Sequence, residues 1–155
     1  MPPKPPQKLR NTPNPKVQNY LLTLLTHREY STRELSQKLG RKFGNPRNWQ
    51  TALIKIQQLG LQSDPRFAAS FLRSHPHWGT LKLKQALQQH KLPADLIQRV
   101  LPTPATELQK IRHALKIKLQ GAEIPTAFPA RQKLAAFLSQ RGFAADLIQQ
   151  TLFNS

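Results

Sequence analysis

The 155-residue sequence contains no cysteine, and acidic side chains are scarce, with seven Asp and Glu against 24 Lys and Arg. Without cysteine there is no disulfide framework, no thiolate nucleophile and no thiolate-ligated zinc site. The scattered acids supply no paired carboxylates for acid–base chemistry, no Gly-rich phosphate loop is present, and no nucleophile–base pair can be nominated, so the chain reads as a non-enzyme without cofactor. His75 and His77 flank Pro76 with no third ligand nearby in sequence, so no metal is expected. Long apolar runs are also missing. The first residues lack the apolar core of a signal peptide, which makes the cytoplasm the expected compartment and leaves no spanning segment.

What is present is positive charge, +17 in total, spread along the chain. Lys and Arg minus Asp and Glu come to +4 for residues 1–16, +5 for 17–63, +4 for 64–102 and +4 for 103–155. A charged tail cannot account for this distribution. It suits a polyanionic or acidic partner, while the bland alternative is a basic surface that only aids solubility. No segment joins a strong apolar face to a dense basic face, so a membrane surface fits poorly.

Six of the 14 prolines fall within residues 1–15, which reads as a disordered, basic, polyproline-like tail. From Lys16 onward the periodicity is helical. Val17, Leu21, Leu24 and Leu25 form one stripe. Ser31 and Glu34 form a capping box ahead of Leu35 and Leu39. Asn45 and Pro46 open a helix carrying Trp49, Leu53 and Ile56, which Gly60 ends. The same three-helix pattern then recurs. Asp64 reads as the N-cap of a helix bearing Phe67 and Phe71, Thr80 opens one bearing Leu83 and Leu87, and Pro93 opens one bearing Leu96 and Ile97. In the last copy Thr106 reads as the cap of a helix with Ile111 and Leu115, followed by helices carrying Leu134 with Leu138 and Leu147 with Ile148.

Identity supports the repetition. Sliding residues 79–101 by 51 positions matches ten of 23, including the run from Ala94 to Gln98 with that from Ala145 to Gln149. Units this small cannot bury their apolar faces alone, so the expected fold is all-α, with three tandem three-helix repeats at 16–63, 64–102 and 103–155 in a curved, elongated body. Leu35, Leu39, Trp49, Leu53, Phe67, Phe71, Leu83, Leu87, Leu134 and Leu138 are the expected core.

Four segments carry a family resemblance: Arg28 to Leu39, with its Ser31 and paired leucines; Gly60 to Ser74, with Asp64, Arg66, Phe67, Ala68 and Phe71; Gly79 to Leu87; and Pro125 to Ile148, with Arg141, Gly142 and Phe143. In this order and spacing they resemble the RecX family over residues 17–153. The resemblance implies a regulator that lodges on the RecA recombinase filament on single-stranded DNA and hinders its extension, ATP turnover and strand exchange, with roles in DNA repair, recombination and the SOS response. The chain departs from the family at His75 to Gly79, where relatives usually carry a basic run.

Arg66 and Arg73, about two turns apart on one helix, and Lys82 and Lys84 are the candidate partner-contacting residues. The expected partners are the RecA filament and, nonspecifically, single-stranded DNA, with the chain itself a monomer. Two other readings stay open. One is a basic helical module that coats DNA or RNA; the other is a scaffold whose charge is merely solvated. Base-specific reading is disfavoured, because no helix concentrates Arg, Asn and Gln at its N-terminus.

Overall fold

The computed structural model describes residues 12–154, so most of the expected tail lies outside the described residues. Among the described residues there are nine α-helices and no strand. The chain divides into two compact units, the first ending at Ser70 and the second starting at Phe71.

In the first unit, α1 (Pro15–His27) starts where Asn14 accepts a hydrogen bond from the Lys16 amide, with Pro15 at a position whose amide needs no partner. Helix α2 (Thr32–Phe43) has the expected capping box: the Glu34 amide donates to Ser31 Oγ, and the Ser31 amide donates to Glu34 Oε1, each at 3.1 Å. Asn45 and Pro46 open a 3₁₀ turn (Pro46–Asn48) instead of α3 itself. Trp49, at φ −137°, interrupts the path, donates its indole N–H to the Gly44 carbonyl, and lets α3 (Gln50–Gln58) begin one residue later. Val17, Leu21, Leu35, Leu39, Leu53 and Ile56 pack together as the core of this unit. Helix α4 (Asp64–Ser74) carries the boundary between the units.

The second unit continues with α5 (Thr80–Gln89), α6 (Ala94–Val100), α7 (Pro104–Lys118), α8 (Phe128–Gln140) and α9 (Ala145–Leu152). Ile111, Leu115, Leu134, Leu138, Phe143 and Ile148 form its main core cluster. Nine of the ten expected core residues are buried. Phe71 is the exception. It is half-buried because its ring lies in an aromatic group with His75 at 4.4 Å, His90 at 5.6 Å and Trp78 at 6.0 Å between centroids.

Two caps differ from the sequence expectation. Ser63, not Asp64, caps α4: its hydroxyl accepts from the Arg66 amide and its carbonyl from the Phe67 amide. Thr103, not Thr106, caps α7, with Thr106 donating its amide to Thr103 Oγ1. The carboxylate of Asp64, released from local work, reaches back to the start of α2. It accepts from the Thr32 amide at 2.9 Å and from the Thr32 hydroxyl, while Gln62, almost fully buried, donates to it at 3.1 Å and to the Tyr30 carbonyl at 3.0 Å.

Glu107, in the first turn of α7, does the same one repeat later. Only 4% exposed, its Oε1 accepts from the Thr80 amide at the start of α5, at 3.2 Å, and from the Ala144 amide just before α9, at 3.0 Å. The first helices of the second and third repeats thus each supply an acid to the middle helix of the repeat before. A helix start leaves amides without intrahelical partners, and a buried carboxylate satisfies them where water cannot.

The start of α5 has no N-cap side chain of its own, because Gly79 occupies that position. Its amides are met from across the fold: Gly79 donates to the Arg141 carbonyl at 2.6 Å and Leu81 to the Gly142 carbonyl at 2.9 Å. A Cβ on Gly79 would collide with the Gly142 backbone, and one on Gly142 would collide with Lys82. Gly142 also sits at φ +85°, where a side chain is strained.

Two outcomes are expected. Glu107→Ala, which orphans two buried amides at about 1–3 kcal/mol each, should lower the unfolding free energy in urea by about 2–6 kcal/mol. Glu107→Gln, whose amide oxygen still accepts, should lose clearly less. Gly142→Ala should cost at least about 1–2 kcal/mol from left-handed backbone strain alone, read as a fall in melting temperature.

Candidate functional site

The seven acids bear directly on the surface. Glu29, Glu34 and Asp95 pair with Arg66, Arg28 and Arg99, and Asp64 and Glu107 are taken up at helix starts. Asp146 lies in the first turn of α9, and Glu123 borders a cavity. Seven acids cannot neutralise 24 cations, and the net charge of +17 makes the protein strongly positive.

The four candidate contact residues stand differently. Arg66 holds Glu29 at 3.1 Å, whereas Arg73 lies exposed in the last turn of α4. They are seven residues apart, two turns of one helix. Lys82 is half-buried, with its Nζ 4.5 Å from the centroid of the Trp78 ring. Lys84, two residues on, faces another direction and borders a cavity with Lys91. The helix therefore does not bring Lys82 and Lys84 onto one face.

The departure at His75 to Gly79 has a structural content. His75 Nδ1 lies 2.8 Å from the Phe71 carbonyl, and since a carbonyl only accepts, this nitrogen carries the proton. Its ring meets Trp78 at 4.0 Å between centroids, so with Lys82 also at the indole, Trp78 is engaged within the fold. Among the described residues no group of three His, Cys, Asp or Glu could hold a metal ion.

Sequence reasoning passed over Lys110. Its Nζ donates to the Trp78 carbonyl at 2.6 Å, and burial pulls its pKa below the ordinary 10.5, with nearby Glu107 acting in the opposite sense. Arg28 moves the other way, held more firmly charged chiefly by its hydrogen bond to Glu34. The signal for Glu107 and Lys110 was faint: one acid in a helix's first turn and a lysine three residues later.

Three cavities lie within the second unit. One of about 430 Å³ is floored by Leu108, Leu115, Leu119 and Ile124 and rimmed by Arg112, Lys116 and Glu123. A smaller one, about 200 Å³, lies between His77, Lys110 and His113. The third, about 390 Å³, is bordered by Lys84, Gln88, Lys91 and Gln98.

Comparison with known proteins is consistent along the chain. The family model for RecX, second three-helix domain, matches residues 63–101. Regulatory protein RecX of Legionella pneumophila is 37% identical over 133 residues, covering 83% of this chain and 87% of that relative. The chain belongs to the RecX family. Regulatory protein RecX of Halorhodospira halophila is 31% identical, with 86% of this chain and 84% of the relative covered. The crystal structure of RecX from Lactobacillus salivarius superposes with a TM-score of 0.73 over 90% of this chain and 93% of that one, at 19% identity, and so shares the fold. The all-helical tandem repeat architecture is thus that of RecX proteins, and the relatives are named as regulators. Among the described residues no helix is long and apolar enough to cross a membrane.

Lys110 gives a pH prediction. Its folded pKa lies below its unfolded value, so between the two the unfolded chain binds more protons and stability rises with pH. Urea titrations should show stability increasing as pH climbs toward 10.5, and Lys110→Met should abolish that increment.

Proposed function

We propose that this RecX family member is a non-catalytic, cytoplasmic, monomeric regulator that binds the RecA recombinase filament on single-stranded DNA and restrains its extension, ATPase and strand exchange. The observation that carries the reading is the match to regulatory RecX proteins along more than four-fifths of the chain. The surface adds physical support. With most of its acids committed to helix starts and ion pairs, the chain presents cations able to meet both phosphates and acidic protein surfaces. It acts by occupying a site and favouring one filament state over another, which requires tighter binding to that state. Arg66, Arg73, Lys82 and Lys84 are proposed to contribute to this contact, with exposed Arg73 and Lys84 the better placed.

The rival reading, a basic module that coats nucleic acid, is favoured only by the charge itself. A single titration separates the two. The protein is expected to suppress RecA ATPase at concentrations well below those that saturate the DNA, and neutralising the four cations together should weaken the suppression. Inhibition that appears only once the DNA is covered would hand the function to coating.

A further inference from the structure

The internal repeat places an unusual residue. The 51-residue slide that aligns α5 and α6 with α8 and α9 puts Lys91 opposite Gly142. Both follow the end of a middle helix, and both adopt left-handed backbone, at φ 57° and +85°. Gly142 must be bare because Lys82 packs onto it. Lys91 is exposed, with no such constraint, yet a lysine there strains the backbone where a glycine would not. Gln120, at φ 52°, is strained in the same way, but Lys91 is the one of the two that borders a cavity described above, and strain retained at a cavity rim is a pointer to use.

Lys91 borders the cavity of about 390 Å³, together with Lys84 and Gln88 from α5 and Gln98 from α6. Lys84 and Gln88 stand at i and i+4 on α5, and Lys91 follows two residues past the end of that helix. The floor is Leu92 and Ile97, both buried. No acid borders the cavity; the nearest in sequence, Asp95, is directed to Arg99 at 3.8 Å. Its size lies within the ~300–1,000 Å³ of small-ligand sites.

We propose that this cavity holds one nucleotide unit, with Lys84 and Lys91 on its phosphate, Gln88 and Gln98 on the base edge, and Leu92 and Ile97 beneath the sugar. Glutamine amides both donate and accept, as base edges do, whereas acidic side chains would use only their donors. With no aromatic ring in the lining, the base is not stacked, and the site tracks a strand without strongly reading its sequence. The inference rests on the proposed function insofar as single-stranded DNA is part of the partner complex.

The test uses the full chain, a labelled oligothymidylate and thymidine monophosphate, titrated at several salt concentrations. Losing one phosphate contact lowers the salt slope by about 0.7, which at ~0.1 M salt, one decade below ~1 M, is about fivefold in affinity. Lys91→Gly is expected to show that loss while raising the melting temperature, because it relieves the strain. Lys84→Gln should lose a similar amount with little change in melting. Competition by the mononucleotide assigns the site to free nucleotides as well as strands; oligomer binding without such competition assigns it to strands. An unchanged slope and affinity in Lys91→Gly would overturn the proposal, as would displacement of the oligomer by polyglutamate at equal charge concentration with the same dependence on Lys91. RecA ATPase, measured in parallel on the wild type, judges the proposed function separately: a protein silent on the filament that still binds DNA through Lys91 would sink that function and leave the cavity standing.

Discussion

A buried carboxylate joining helix starts from different repeats is the interaction on which this fold turns. Glu107 receives amides from the start of α5 and from the residue before α9 while belonging itself to α7. One side chain therefore sets the relation of three helices. Asp64 plays the smaller version of the part between α4 and α2, with Gln62 and Gln57 completing the network around Thr32. Short helices such as α6 and α9 have little stability of their own. Glu107 holds the start of α9 within its own repeat, while the starts of α5 and α2 are met by acids of the following repeat, and such contacts make neighbouring repeats interdependent, which is how an array of units too small to fold alone becomes cooperative. The parallel is incomplete, since Thr32 Oγ1 binds Asp64 whereas Thr80 Oγ1 is buried with no partner.

The electrostatics follow from the same fact. In a chain with only seven acids, committing most of them to helix starts and ion pairs leaves Lys84 of α5, Arg112, Lys116 and Lys118 of α7 and Lys133 of α8 exposed. Some cations settle on aromatic rings: Lys82 on Trp78, and Lys118 and Arg141 both on Phe137. Such contacts hold a cation in place without neutralising it. The positive surface is thus partly pre-arranged, which lowers the entropy cost of meeting an anionic partner.

Two glycines mark where repeats meet most closely. Gly79 and Gly142 lie 63 positions apart, in two of the segments that resemble RecX, and they exchange backbone contacts that no side chain would permit. Family resemblance in these stretches therefore has a packing origin. Lys91, in the register of Gly142, shows the converse: once nothing packs against the position, a side chain is admitted at the cost of strain.

The helices, their order and nearly all of the core were legible in the sequence, because apolar spacing at 3.6 residues and cap residues such as Ser31, Glu34 and Gly60 are local signals that need no knowledge of the fold. Charge and its even distribution were equally plain. The destinations of Asp64 and Glu107 were not. An acid before or within a first turn looks the same whether it caps its own helix or another, and only the meeting of chain segments 27 to 37 residues apart decides which amide it receives. The half-burial of Phe71 among His75, Trp78 and His90, and the docking of Lys82 on the Trp78 ring, were likewise settled by packing. Periodicity specifies which face of a helix is apolar; tertiary contact alone determines what each polar side chain finds there.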